Sequence, residues 1–589
     1  MRNTFAMFGS RLAVVIIFQI TLVLLLVGRL FFLQVIDQKK YVGLSDRNRI
    51  RVTLKPALRG NIKDRNGVIL AHSVPYYNAR VSCKDTQCRE QCKKILLDKG
   101  FVFDVEVFNR MDSKQLFTLK ERLSWQDVTL LEANKSDLPM IDIQTLYERV
   151  YSMDKATPHF LGYTSRIPDD HPYARKLPFA NVGRSGLEKL MDETLFGTPT
   201  LLEEEVNAYG EAIRTLSFQS GHKGEDVTLT IDGELQGFVY RQLEPHKSGA
   251  VVVLDVQSGE VLALASYPSF NPGIFEQGLS QQQWDELKND IQTPLLDKTI
   301  MGMYPPGSII KPLIALAALE EGYITPETRF TCTGVTIIDG QPCHCWKGDG
   351  HGSVNLEEAL RGSCNVYMYE IAKMMPLERV IKWLTHFGLG ENTGFPIYGE
   401  KKGLIPSPEW KLKHRKDRWR RIDAVYPSIG QGYLLVTPLQ MARMMAQLVN
   451  GGKKISVRIF PKKTLEDIGE IKALKQYLDF LIRVMGQVIN HPNGTGYRSR
   501  PTDVEWQMGG KSGTAQVRKI TQRERAEGRH HGYDWEWKER DHALFAGFAP
   551  LNNPKYVVVV LVEHGGFGGV TAAPIGRDIM KFIMQKHAP

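Results

Sequence analysis

Apolar positions fall along this chain in three textures. Residues 12–28, LAVVIIFQITLVLLLVG, form an uninterrupted apolar run, and LFFLQVI continues it beyond Arg29. A run of that length predicts a helix able to span a bilayer with Arg29 snorkelling to the surface. It lacks a small-x-small cleavage site, so an uncleaved anchor is expected rather than a signal peptide. Residues 249–268, GAVVVLDVQSGEVLALASYP, are two apolar runs around QSGE and predict a β-hairpin. HALFAGFAP and KYVVVVLVE, joined by LNNP near the C-terminus, predict a second one. The residues between the two pairs read as mostly helical, including a strongly apolar helix opening at Ser308 in YPPGSIIKPLIALAALEEG. An antiparallel sheet built from both ends of a segment, with helices inserted between, is an α+β architecture, here spanning roughly 233–589.

Upstream, LRGNIKDRNGVILAHS (58–73) predicts two strand-like halves around a turn at Asp64 to Gly67. NVGRSGLEKLMDETLFGTPT (181–200) reads as helical, EEEVNAYGEAIRTL as extended, and DVTLTID (226–232) as a strand leading into a helix. Residues 80–180 mix short helical and extended signals. No repeat or low-complexity segment is visible.

At 589 residues the chain can form two to four domains, and 42% hydrophobic with 24% charged residues exclude wholesale disorder. The net charge is +10, with one dense basic run, KLKHRKDRWRR, at 411–421. Such a run suits nucleic acid, anionic lipid or an acidic polymer, or simply a solvated loop. No nucleic-acid motif accompanies it, and no nucleic-acid partner is expected. Charges flanking the anchor, Arg2 and Arg11 before it and Lys39, Lys40, Arg47, Arg49 and Arg51 after it, do not fix its orientation.

Three short motifs could carry chemistry. Ser308 and Lys311 are three apart, so on a helix their side chains share a face, where a neutral lysine can take the proton of a serine hydroxyl. Taken alone, so short a motif reads as an N-cap and a surface lysine. Ser363 and Asn365 flank Cys364 in RGSCNV. In GGKSGTAQ (509–516), Lys511, Ser512, Gly513 and Thr514 place a cation and two hydroxyls beside backbone that can approach a ligand closely, a set suited to a carboxylate. S-x-x-K, then S-x-N, then K-S-G-T near the final strands is the motif order of acyl-serine enzymes that act on penicillins and D-alanyl peptides.

With RGNIKDRNG at 59, GRSGLEK at 183, TPLLDKT at 293, YPPGSIIKP at 304 and GQGYLLVTPLQMA at 430, the chain resembles class B penicillin-binding proteins, most closely the elongation-type penicillin-binding protein 2 group. The resemblance implies a cytoplasmic tail (1–11), a transmembrane helix (12–36), a pedestal domain (37–232) with a head insertion at about 80–180, and a transpeptidase domain (233–589) with an antiparallel sheet and a helical subdomain. It implies a single-pass inner-membrane protein whose residues after about 37 are periplasmic. Ser308 would attack the penultimate D-alanine carbonyl of a peptidoglycan stem peptide, with Lys311 as general base. Ser363 would relay a proton to the leaving amine and Asn365 would orient Lys311 or the substrate amide. The backbone N–H groups of Ser308 and Thr514 would form the oxyanion hole, and Lys511, Ser512 and Thr514 would recognise the terminal carboxylate. β-Lactams would trap Ser308. A RodA-type glycosyltransferase and an MreC-like scaffold follow as partners from the resemblance alone. The competing functions are a serine β-lactamase, for which no deacylating base is evident, and a non-catalytic β-lactam sensor.

Four of the 7 cysteines, Cys332, Cys343, Cys345 and Cys364, lie between or within the first two motifs together with His344 and His351. In an oxidising compartment thiols tend to form disulfides. Some penicillin-binding proteins 2 instead carry a metal in this interval, and the resemblance maps its ligands to Cys332, Cys345, His351 and Cys364. Such a set suits a structural zinc with no open position. The family pattern has carboxylates at the first two positions, so cysteines there are a departure, and Cys343 could replace Cys345. For Cys83, Cys88 and Cys92 one disulfide and one free thiol are expected. With Ser363 and Asn365 both facing a cleft, Cys364 would point away and brace the motif from behind.

Overall fold

A computed structural model of the chain describes residues 2–39, 49–83, 85–110, 117–170, 177, 179–207, 212–462, 464, 468–521, 523, 524, 527 and 535–586. Lys40 and Arg47 of the flanking charges, and positions 208–211 of the stretch read as extended, lie outside the described residues. The chain divides into two compact units.

The first unit comprises Met1–Leu58, Ile167–Ala180 and Gly197–Gly224. Its N-terminal helix, Arg2–Phe31, runs into a single π-helical turn, Phe32–Ile36. Leu12–Ile36 is long and apolar enough to cross a membrane, and its large apolar side chains are exposed. The unit also holds an antiparallel sheet ordered Ile50–Lys55, Thr200–Val206, Ala212–Gln219. The acidic run in the middle strand is balanced across it. Glu204 pairs with Arg51 at 2.7 Å and Glu205 with Arg214 at 2.7 Å, each opposite its partner in the register.

The second unit comprises Arg59–Arg166, Asn181–Phe196 and Glu225–Pro589. Its smaller sheet is centred on Ile69–Val81, which pairs antiparallel with Ile141–Tyr151 from Ala71↔Tyr151 through Val81↔Ile141. The turn expected at Asp64 to Gly67 is present: Asp64 Oδ1 accepts from Asn66 N and Val68 N, and Gly67 N donates to Asp64 O. Two of the quoted motifs meet here. Arg59 of RGNIKDRNG donates from Nε to Glu188 of GRSGLEK at 2.7 Å, and Arg149 holds the other carboxylate oxygen at 2.7 Å. All three side chains are buried, so their geometry is fixed by hydrogen bonds as well as charge.

A separate apolar cluster packs Cys83, Cys92, Leu96, Phe101, Phe108 and Leu131 between the Thr86–Asp98 helix and the end of the Ile69–Val81 strand. The disulfide expected there is absent: Cys83, Cys88 and Cys92 are free thiols. Burial pushes Cys83 and Cys92 up to about 12, which keeps them as neutral apolar groups of this core.

The main sheet has five antiparallel strands in the order Val261–Tyr267, Gly249–Asp255, Tyr556–Val562, His542–Ala549, Gly509–Ala515. Both hairpins expected from the sequence form, and they lie side by side, joined through Gly249–Asp255 and Tyr556–Val562. Residues such as Val252, Leu254, Val557 and Val559 face one core, shared with the Lys311–Glu320 and Pro438–Val449 helices. Val251, Val253, Val558 and Val560 face another, with the Gly233–Leu243 and Ala572–Lys586 helices. Burial on both faces explains why these strands read as continuous apolar runs rather than alternating ones. Lys311–Glu320 is the central helix, buried from Lys311 through Leu319 and therefore apolar on every side but one.

Candidate active site

The helix expected to open at Ser308 opens at Lys311 instead. Gly307–Ile310 forms a 3-10 turn, and the α-helix follows with Pro312 in its first turn. Pro312 has no N–H and its fixed φ suits a helix start, which places the junction here. The N-cap positions of the two elements are Pro306 and Ile310, neither with a side-chain cap, so Ser308 is not the capping residue of either. Gly307 has φ +54°, and a Cβ on it would lie 2.9 Å from Thr514 O. A Cβ on Gly513 would lie 3.2 Å from Ile309 Cγ1. The Ser308 turn and the KSGT strand thus approach as closely as two glycines permit.

Lys311 is fully buried and its Nζ donates to Ser363 O (2.8 Å), Ser363 Oγ (3.3 Å) and Asn365 Oδ1 (2.7 Å). No hydrogen bond joins it to Ser308 Oγ among the described residues. Burial lowers its pKa to about 8, opposed by the nearby sulfurs of Cys345, Cys364 and Cys332. Lys511, also fully buried, donates to Ser363 Oγ at 2.9 Å and to Ser512 O at 3.1 Å. Burial and then repulsion from Lys311 hold its pKa well below the usual lysine range. The strand alternation sends Lys511 to the face opposite Ser512 and Thr514. Ser512 Oγ lies 2.8 Å from Thr495 Oγ1, and Thr514 Oγ1 accepts from Gly568 N at 3.4 Å.

The S-x-N motif is a tight turn. Ser363 has φ +55°, in the left-handed region that non-glycine residues rarely adopt. Cys364 is extended and caps the Asn365–Met374 helix. The turn directs Ser363 and Asn365 at Lys311 while burying Cys364 completely. Trp346 donates from Nε1 to Ser363 O at 3.1 Å, a support that sequence reasoning missed because no motif contains it. Gln431 was legible only as part of GQGY. It donates from Nε2 to Thr514 O at 3.0 Å, while Gly307 N donates to Gly430 O at 2.9 Å.

Cys332, Cys345, His351 and Cys364 place one ligand atom each within 4.8 Å of one another, and Cys343 stands outside this group. All four cysteines of the region are free thiols. His351 Nδ1 lies 3.5 Å from Cys345 Sγ and 3.7 Å from Cys332 Sγ, with Nε2 3.1 Å from Gly362 O. That orientation is the one a metal-ligating imidazole adopts, with its other nitrogen donating to a carbonyl. A hydrogen bond from Cys364 lowers Cys345 far below the ordinary thiol range, helped by His351 and by the N–H groups of Lys347 and Asn365. The same bond and burial raise Cys364. A cluster that already favours anionic sulfur has the donors of a closed tetrahedral site.

Residues 249–581 match the family described as the penicillin-binding protein transpeptidase domain, and residues 54–229 match the penicillin-binding protein dimerisation domain. The chain belongs to the penicillin-binding protein transpeptidase family. This penicillin-binding protein is 32% identical to the peptidoglycan D,D-transpeptidase MrdA of Haemophilus influenzae, over 96% of this chain and 91% of that one. It resembles the solved complex between penicillin-binding protein 2 and MreC from Helicobacter pylori with a TM-score of 0.79 and 28% identity, over 92% of this chain and 99% of that one. A structure described as a peptidoglycan synthase complex coordinating polymerization and crosslinking is also 28% identical, with a TM-score of 0.71 and 97% of both chains covered.

Proposed function

We propose that this penicillin-binding protein is an elongation-type peptidoglycan D,D-transpeptidase that works through a Ser308 acyl-enzyme. The observation that carries the reading is the convergence of Lys311, Ser363, Asn365 and Lys511, from three separated motifs, beside the turn that presents Ser308. Ser308 Oγ attacks the penultimate D-alanine carbonyl and gives its proton to neutral Lys311. The oxyanion is held by the N–H groups of Ser308 and Thr514. Collapse breaks the peptide bond, the released D-alanine amine taking the proton through Ser363. An amine of a neighbouring strand then attacks the ester, forms the cross-link and returns the proton to Ser308. Ser512 and Thr514, with the backbone of Gly513 between them, form the carboxylate subsite on one face of the strand, and the arriving carboxylate favours the charged form of Lys511 on the other. β-Lactams, as mimics of the D-alanyl end, acylate the same serine.

Cys332, Cys345, His351 and Cys364 hold a structural zinc that braces the S-x-N turn from behind and takes no part in acyl transfer. Residues 12–36 anchor the chain in the inner membrane, 37–232 form the pedestal with its head, and 233–589 form the catalytic domain in the periplasm. The relatives solved with MreC and in a synthase complex support an MreC-like scaffold and a RodA-type glycosyltransferase as partners in lateral wall elongation and cell-shape maintenance.

The test is incubation with a fluorescent penicillin alongside a stem pentapeptide. Stable labelling, its loss in Ser308→Ala and release of D-alanine from the pentapeptide are expected. Rapid turnover of the penicillin would point to a lactamase, labelling without D-alanine release to a sensor, and no labelling would end the acyl-serine reading.

A further inference from the structure

The basic run at 411–421 is folded, and it meets the GQGY segment through Trp410 and Arg415 against Tyr433. Lys411 is buried and neutralised, lying 2.8 Å from Asp423 and 2.9 Å from Asp417 and donating to Arg418 O at 3.0 Å. Those contacts close the Pro408–Arg415 helix and the loop after it around one internal cation. They also use the one aspartate of the run, Asp417, which further pairs with Arg420, and Asp423 just beyond it. Lys413, Lys416 and Arg418 are exposed, and no side-chain hydrogen bond or ion pair engages them among the described residues. Arg415 lies over the ring of Tyr433, 5.6 Å from its centroid, and Tyr433 packs on Trp410 at 5.2 Å. Tyr433 is two residues from Gln431, whose side chain holds the KSGT strand at Thr514 O.

We propose that Arg415, held over Tyr433, and its exposed neighbours Lys413, Lys416 and Arg418 form a docking platform for the carboxylates of an acidic peptide strand entering the cleft. This rests on the transpeptidase reading, in which the substrate is such a strand. Charge complementarity and position favour that occupant. Cations in the last turn of the Pro408–Arg415 helix and Lys416 at its C-cap are accounted for by its dipole, but Arg418 lies beyond the helix end. An arginine laid flat on an aromatic ring keeps its N–H edge free for carboxylates. A purely solvated loop would not need a buried cation to hold it in place, and a lipid-facing patch would have no reason to share Tyr433 with the segment that positions the KSGT strand.

The test uses full-length protein in neutral detergent, carrying Ser308→Ala to prevent turnover. Binding of a fluorescent stem pentapeptide with free side-chain carboxylates is compared with that of the same peptide with those carboxylates amidated. R415E/K416E is expected to weaken the acidic peptide about tenfold and remove its salt dependence, with the amidated peptide unchanged. R415Q/K416Q should give an intermediate loss, and an unaltered unfolding temperature shows that both variants fold. Equal affinity of parent and charge-reversed protein for the acidic peptide, or equal loss for both peptides, overturns the proposal. Platform-dependent binding only to phosphatidylglycerol vesicles overturns it in favour of a membrane contact. Failure of the transpeptidase reading registers separately, as wild-type protein that labels with penicillin but releases no D-alanine, and leaves the binding comparison readable.

Discussion

Lys311 and Lys511 donate to the same hydroxyl, that of Ser363, at 3.3 and 2.9 Å. Two fully buried ammonium groups on one oxygen repel each other, and burial disfavours the charge on either. The pair therefore titrates as a unit and gives up a proton more readily than free lysines do. One of the two amines is thereby held neutral, as the proposed Ser308 acyl-enzyme route requires of Lys311. Ser363 is its hinge, because among the described residues its hydroxyl is the one side-chain atom hydrogen-bonded to both lysines.

Ser363→Ala is accordingly expected to reduce the rate of Ser308 acylation by penicillin about 10²-fold or more, the usual worth of a positioned proton-transfer group. Stopped-flow labelling measures it. Because the main-chain carbonyl of residue 363 still binds Lys311, thermal stability should change little. An acylation rate within a few-fold of wild type would remove Ser363 from the proton path.

Metal analysis of purified protein should find one zinc per chain, and Cys345→Ser should lose it. Cys345 Sγ accepts from Asn365 N at 3.4 Å, and His351 Nε2 meets Gly362 O, so the cluster grips the turn at both ends of Ser363–Cys364. Removal by a strong chelator is expected to lower the unfolding temperature and to slow acylation together, since Ser363 holds a left-handed φ that the turn must enforce. Metal-free protein with full stability and full acylation rate would make the four residues a thiol core only.

How much of this was legible in the sequence differs by element. The hairpins at 249–267 and 542–562 were, because their strands are buried on both faces and alternate with polar turns. Lys311, Ser363, Asn365 and Lys511 stood out in three separate motifs, and the fold brings their side chains together. The junction at Lys311 was not: an apolar run specifies a helix but not whether its first turn is 3-10. Trp346 and the sharing of Ser363 by two lysines were also hidden, because they arise from contacts between segments that no local pattern encodes. The thiols at 83, 88 and 92 were misjudged by arguing from compartment rather than from the core into which they pack.

The meeting of two distant motifs at Glu188 makes a stability prediction. This carboxylate is buried and holds Arg59 and Arg149 at 2.7 Å each. Glu188→Ala would leave two guanidinium groups without their shared counter-ion in a dry site. Removing one partner of a buried ion pair typically costs about 3–5 kcal/mol. Thermal unfolding should show a drop of several degrees, whereas Lys189→Ala next to it, on the exposed side, should leave the transition in place.

Glu276 gives a pH dependence whose sign can be worked out. It sits on the short Gly273–Gln277 helix and accepts from Arg149 N at 2.9 Å, from Thr164 Oγ1 at 3.5 Å and from the Asn181 side chain. Burial raises its pKa to about 7, reinforced by Glu148 and Glu188 and opposed by the Arg149 N–H and guanidinium. Its unfolded value is that of an ordinary glutamate, near 4.3. A folded pKa above the unfolded one means that the native state binds the proton more tightly, so the associated stability is complete below about pH 4 and is lost as pH rises through about 7. A rise of this size corresponds to about 3–4 kcal/mol. The unfolding temperature of the wild type should therefore contain a component that falls between pH 5 and pH 8. Glu276→Gln, which keeps an acceptor for Arg149 N but cannot ionise, should flatten that component and exceed the wild type at pH 8. Parallel pH profiles for the two proteins would show that the Glu276 carboxyl is charged throughout, and that its hydrogen bonds outweigh the burial.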